Sequence, residues 1–372
     1  RATIGACRAL GVLVQFDGGT LTIDGIDGGR LKLTGEPIDC AESGSTLRFF
    51  IPIACVLDGE KTFTGRGRLL QRPVDSYLQI FDMQGLRYTR LPGASLPLTV
   101  SGALRPGEFH VDGRISSQFV TGLLFALPLL EGDSRVSVTG GFESRGYVDL
   151  TVDILRRFGI HITVEGDTFT IPGNQKYQPR DITVEGDYSQ AAFFLVGGAI
   201  SGGIRVKGLD VRSLQPDRAI VDVLRRMGAD IAEENGALVS RPARLHGEVI
   251  DVSQCPDLVP PLAIAAAFAE GQTHITGAAR LRIKESDRLH ALAQNLSELG
   301  IRTDELPDGL IIHGGQPTGG TIDSFGDHRI AMAFSIAAAG ASGPVKIYGA
   351  ECVDKSYPAF YQDFVTLGGE II

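Results

Sequence analysis

The sequence is short of several features that would fix its class at once. Its five cysteines, Cys7, Cys40, Cys55, Cys255 and Cys352, are odd in number, far apart and never spaced as CxxC. That usage fits a reducing cytoplasm and argues against a structural zinc site. No apolar run reaches the roughly 18 residues that a membrane span requires. The longest, around PLAIAAAFAE, is rich in small residues and stops early. No Lys/Arg cluster breaks the net charge of −9, so the basic face of a nucleic-acid binder is missing. There is no GxSxG elbow, no Walker loop and no GxGxxG in a strand–helix context. His161, His246 and His274 lack metal-ligand spacing. No signal-peptide pattern is visible at the abrupt start.

At 372 residues, 43% hydrophobic and 21% charged, the composition reads as soluble and globular, and the length predicts two domains. One pattern recurs: a helix-like segment, then an apolar residue with Gly, then short alternating runs. The copies are CRALGVLVQFDGGTLTIDGI, IFDMQGLRYTRL, LRRFGIHITVEGDTFTIPG, LRRMGADIAEENGALVSRP, LSELGIRTDELPDGLIIHG and FVTLGGEII. Their glycines are Gly11, Gly85, Gly159, Gly228, Gly300 and Gly368, a period of about 70 residues. Each Gly suits a helix C-cap, and each following run suits a hairpin. A period this long fits a compact α/β unit repeated three times in each half. The expected domains are 1–184 and 185–372, with the first and last units incomplete. Copy six stops at its first strand, Glu370–Ile372, and copy one opens directly on a helix. The chain is therefore expected to be a fragment of a longer protein, which a gene with an in-frame start at Arg1 would contradict.

Several stretches carry chemistry. In DGRISSQFVTGLLFALPLL, Ser116, Ser117 and Gln118 stand before a long apolar helix. Free N–H groups and the dipole make such a start an anion site, or Ser is simply its cap. AESGSTLRFFIPIA has the same layout, with Gly44 allowing close approach and Arg48 one turn in. VEGDYSQAAFFLVGGA repeats it in the second half. FESRGYVDLT carries Ser144, Arg145 and Tyr147, and GRLLQRPVD carries Arg72. CPDLVPPLAIAAAF sets Asp257 at the mouth of an apolar helix, where a plain cap is the alternative. LRIKESDRL gathers Lys284, Glu285, Asp287 and Arg288; as a helix it would put Lys284 and Arg288 on one face. FGDHRIAMAFSIAAAG sets Asp327, His328 and Arg329 before a helix of small apolar residues, and DKSYPAFYQDF offers Lys355.

SSQF, SRGYVD, GDYSQAAFFL, PDLVPPLA, KESDRL, DHRIAM and DKSYPAF, in this order, resemble the 5-enolpyruvylshikimate-3-phosphate synthase family across essentially the whole chain. The sister enzyme, UDP-N-acetylglucosamine enolpyruvyl transferase, shares the six-unit fold but differs at these motifs. The resemblance implies the enolpyruvyl transferase fold: two domains, each of three βαβαββ-type units in an inside-out α/β barrel, hinged to close on substrate. It implies transfer of the enolpyruvyl group of phosphoenolpyruvate to the 5-hydroxyl of shikimate 3-phosphate with release of phosphate, a step of aromatic amino acid biosynthesis. It implies a cytoplasmic monomer without metal or organic cofactor, nucleic-acid partner or membrane. By the same resemblance Ser116, Ser117, Gln118, Ser144, Tyr147 and Lys284 contact shikimate 3-phosphate. Arg48, Arg72, Arg288, Arg329 and Lys355 surround phosphoenolpyruvate, with Gly44 lining that pocket. Asp257 takes the hydroxyl proton, Glu285 protonates the methylene carbon, and Lys355 joins them as a catalytic group.

Two departures stand out. The family's Lys-Ser-x-Ser-x-Arg segment is absent, and the pocket loop reads ESGST where many relatives read NAGT. Gly44 is kept, which implies that glyphosate inhibits. The alternatives are a catalytically inactive anion-binding fragment and an enolpyruvyl transferase for another acceptor.

Overall fold

Strands of two to six residues alternate with helices along most of the chain, and the pattern repeats in space. The computed structural model describes residues 2–25 and 31–372. The last residue of the first repeat copy, Ile26, lies outside the described residues. The chain divides into two units, Arg1–Asp181 and Ile182–Ile372.

In the first unit, two complete βαβαββ modules follow a helix, Ala2–Ala9, and a two-stranded hairpin, Leu13–Asp17 with Thr20–Asp24. One module runs from strand Ile38–Asp39 to strand Leu98–Ser101, the other from Glu108–Asp112 to Thr168–Ile171. Each builds a four-stranded sheet in which the first two strands are parallel and the last two return antiparallel. A parallel pair needs a crossover, and the helices Gly44–Ala54 and Gln118–Ala126 supply it. Those two helices pack on each other. They meet at Gly122, where a Cβ would lie 2.4 Å from the Arg48 carbonyl oxygen. Only the missing side chain allows that approach, and it sets the start of one helix beside Arg48.

The second unit repeats the design. Its middle module, Val249–Asp251 to Gly309–His313, has the same four-stranded order. The modules on either side form a three-stranded and a two-stranded sheet. Helices Tyr188–Ile200, Val259–Ala267 and His328–Ala338 pack against one another in the core. Every residue of Val259–Ala267 is buried, so this helix is apolar all round rather than amphipathic. Its run of small Ala residues lets the flanking helices come close.

All six repeat glycines have positive φ, from +71° to +98°. Each ends or follows its helix in a conformation that Gly enters without a Cβ penalty. Two expectations differ from the structure. Glu370–Ile372 forms no strand, because it has no ladder partner among the described residues. LRIKESDRL is not one helix either. Ala279–Ile283 is a 3-10 turn, residues 284–286 form a bend, and the helix Arg288–Glu298 starts only after Asp287. The Asp287 carboxylate accepts from the backbone N–H of His290 at 3.1 Å. That N-cap fixes the first turn downstream of Lys284.

Candidate active site

In the second unit, three separate segments bring charges of both signs to one place. Arg288, at the start of its helix, is the hub. Its side chain is only 2% exposed and meets three carboxylates. Nε donates to Asp327 at 2.8 Å, one terminal nitrogen to Asp257 at 2.9 Å, and the other to Glu285 at 2.9 Å. Asp257, on the 3-10 turn Pro256–Leu258, in turn meets Arg329 at 3.5 Å and Lys284 at 3.7 Å. The cluster holds three cations and three carboxylates. Lys284 and Arg288 converge on Asp257 even though they do not share a helix face.

Asp327 is fully buried. It caps the helix His328–Ala338 by accepting from the Arg329 N–H at 2.9 Å, and it accepts the Ser286 hydroxyl at 3.0 Å. Arg329 donates to the Ser189 hydroxyl at 2.9 Å. Lys355 is exposed, and its Nζ donates to the Gly326 carbonyl at 3.0 Å, at the mouth of the same helix. Burial alone would raise the Asp257 carboxyl, but Arg329, Lys284 and Arg288 hold it well below the ordinary carboxylate range. Asp327 is also lowered: burial opposes ionisation there, and Arg288 outweighs it. Burial pushes the neighbouring His328 down to about 4, so it is neutral at physiological pH.

The first unit holds the other predicted residues. Arg48 is buried and donates to the Gln118 side chain at 2.9 Å, with its guanidinium 4.9 Å from the Phe119 ring centre. Arg72 packs on the backbone at Gly44, where a Cβ would sit 2.4 Å from a guanidinium nitrogen. Ser43 caps that helix, accepting from Thr46 N–H at 3.2 Å. Gln118 is the first residue of its helix rather than the one before it, and its N–H donates to Ser116 Oγ at 3.3 Å. Ser117, the N-cap, makes no side-chain cap bond. Ser144 takes a left-handed conformation, φ 55°, at the start of helix Arg145–Arg157, which carries Tyr147. A non-glycine residue held there stores strain of order 1–3 kcal/mol, which is common at functional sites. The two helices are joined by Thr121 and Thr151, 3.2 Å apart.

The predicted residues thus fall into two groups, one per unit. Reasoning from sequence gave no role to Asp327, Ser189, Ser286 or Arg282, although DHR, GDYSQ and KESDRL contain or adjoin them. Among the described residues, no group of three or more His, Cys, Asp or Glu could hold a metal ion. The arrangement suits recognition of small multiply charged anions by arginine and lysine, with two partly accessible carboxylates, Asp257 and Glu285, for proton transfer.

A family model described as EPSP synthase (3-phosphoshikimate 1-carboxyvinyltransferase) matches residues 1–364. The 3-phosphoshikimate 1-carboxyvinyltransferase of Clostridium novyi is 47% identical over 100% of this chain and 87% of its own length. That of Clostridium kluyveri is 49% identical with the same coverage. Among solved structures, EPSP synthase from Acinetobacter baumannii superposes with a TM-score of 0.82 at 31% identity, covering 99% of this chain and 87% of that one. The enolpyruvyl transferase NikO from Streptomyces tendae shares the fold, with a TM-score of 0.75 at 21% identity, over 99% of this chain and 86% of its own. By motif, fold and relatives, this chain belongs to the EPSP synthase family.

Proposed function

We propose that the chain transfers the enolpyruvyl group of phosphoenolpyruvate to the 5-hydroxyl of shikimate 3-phosphate and releases phosphate. The observation that carries this reading is the convergence of Lys284, Arg288 and Arg329 on Asp257, beside Glu285, in a family of this activity. In the first unit we assign Ser116, Ser117, Gln118, Ser144 and Tyr147 to shikimate 3-phosphate, and Gly44, Arg48 and Arg72 to phosphoenolpyruvate. In the second we assign Lys284 to shikimate 3-phosphate, and Arg288, Arg329 and Lys355 to phosphoenolpyruvate.

The chemistry then runs as two proton transfers around one carbon–oxygen bond. Asp257 accepts the 5-hydroxyl proton as that oxygen bonds to C2 of phosphoenolpyruvate, and Glu285 gives a proton to C3. The resulting tetrahedral adduct carries phosphate and carboxylate on one carbon, and fixed cations stabilise it. Return of a C3 proton to Glu285 and loss of phosphate, which carries off the proton held by Asp257, regenerate the double bond and both groups. The four buried cysteines and half-buried Cys7 are all free, which fits a cytoplasmic protein. No helix among the described residues is long and apolar enough to cross a membrane. We assign a monomer, which sedimentation would check.

Mass analysis of the product tests the acceptor. Shikimate 3-phosphate should gain a carboxyvinyl group, and unphosphorylated shikimate should not. Equal transfer to both would reject the acceptor assignment.

Gly44 gives a second test. In Gly44→Ala the new methyl displaces the Arg72 guanidinium, the mobile end of a flexible side chain, so the melting temperature should hardly change. A charge-assisted hydrogen bond contributes about 1.5–3 kcal/mol, so KM for phosphoenolpyruvate should rise about tenfold or more. An unchanged KM would remove Arg72 from the substrate-binding set. Millimolar glyphosate should slow turnover of the unaltered chain; unchanged turnover would reject that expectation.

A further inference from the structure

The bend that carries Lys284 and Glu285 has no regular backbone ladder of its own, yet both side chains must be placed to within a fraction of an ångström to act. The Arg282 guanidinium fastens it. Nε donates to the Pro307 carbonyl at 3.1 Å and one terminal nitrogen to the Leu306 carbonyl at 2.6 Å. The other terminal nitrogen reaches Glu305 at 2.7 Å and Asp287 at 3.0 Å. All three nitrogens are therefore engaged by the hairpin Thr303–Leu306/Gly309–His313 and by the N-cap of the helix Arg288–Glu298. Arg282 and Asp287 flank the bend, and the bond between them closes it into a short loop held against the sheet.

We propose that Arg282 is a positioning residue for the reaction: it clamps the 284–286 bend to the Glu305–Pro307 edge and so sets Lys284 and Glu285 in register. This rests on the functional reading given above. A planar fork with five donors can serve these four acceptors together; an ammonium on a flexible stem cannot. Its partners are two backbone carbonyls and two carboxylates that have no part in the chemistry, so its effect on turnover runs through the bend.

The test compares the unaltered chain with Arg282→Ala, Arg282→Lys and the milder Glu305→Gln. Readouts are kcat and KM for both substrates, the melting temperature, and amide exchange across residues 283–287. Arg282→Ala should lower kcat about 100-fold, the scale of an ångström misplacement. It should speed exchange in the bend at least about tenfold, with the helix Val259–Ala267 as protected as before. Added guanidinium ion should restore part of kcat, which a general loss of folding would not allow, and Arg282→Lys should restore little. Should Arg282→Ala not fold, Glu305→Gln should show the same pattern at smaller amplitude. Exchange and kcat within threefold of the unaltered chain in every folded variant would overturn the proposal. Absence of turnover in the unaltered chain would count against the functional reading alone. Exchange in the bend would then still decide whether Arg282 holds it.

Discussion

Asp257→Asn should abolish most turnover and yet bind phosphoenolpyruvate more tightly than the unaltered chain. The Asp257 carboxylate is gripped by Arg288, Arg329 and Lys284 at 2.9, 3.5 and 3.7 Å. It occupies these cations as a substrate carboxylate or phosphate would. Within the cluster three cations face three carboxylates, so an anion that takes up Arg288, Arg329 or Lys284 must compete with Asp257. When it draws the cations away, the Asp257 carboxyl rises from its depressed position toward the range where a base is useful. The amide keeps the shape, removes the competing charge and cannot accept the hydroxyl proton. Loss of a general base costs about 100- to 10,000-fold in kcat. Two unit charges 4 Å apart near a protein surface interact by about 4 kcal/mol, so removal of this one should tighten binding at least about tenfold. Calorimetric titration with phosphoenolpyruvate checks the second half. Weaker binding by Asp257→Asn would show that Asp257 supports the anion rather than competing with it.

Asp327→Ala should be the most destabilising single change in the second unit. Asp327 is the acceptor for Arg288 Nε, a group with a side chain only 2% exposed. Removing one partner of a buried pair leaves the other charge uncompensated and typically costs about 3–5 kcal/mol. The variant also loses the cap of the helix His328–Ala338 and the Ser286 contact. Chemical denaturation should show the loss, and phosphate release should fall with it as Arg288 and Arg329 lose register. The pH dependence has a definite sign. Asp327 and Asp257 both have lowered folded-state pKa values. Their contribution to stability is therefore complete above the unfolded carboxyl value, about 3.9, and is lost as pH falls through the folded values. Asp327→Asn should flatten that acid slope. A stability loss under about 1 kcal/mol in Asp327→Ala would contradict the hub assigned to Arg288.

Much of the architecture was legible because backbone requirements are local. A Gly needed at positive φ after each helix marks the repeat, and all six positions meet that need. Alternating runs around turn residues marked antiparallel pairs in five of the six copies, but not in the last, where Glu370–Ile372 forms no strand. The charge cluster was only partly legible. KESDRL and DHR announce that acids and bases gather, but which arginine meets which acid is decided by folding. Arg288 and Asp327 are 39 residues apart in sequence, and Arg329 and Ser189 are 140 apart. Helical spacing misled at Lys284 because Asp287 uses its carboxylate as an N-cap and starts the helix one residue later. The clamp role of Arg282 was hidden for a related reason: two of its acceptors are backbone carbonyls of a distant hairpin, which no side-chain motif records.

The most direct test of the central claim is phosphate release by the 372-residue chain supplied with shikimate 3-phosphate and phosphoenolpyruvate together, and with each alone. The account predicts release that requires both substrates and disappears in Asp257→Asn. Release from phosphoenolpyruvate alone, or none with both present, would contradict it.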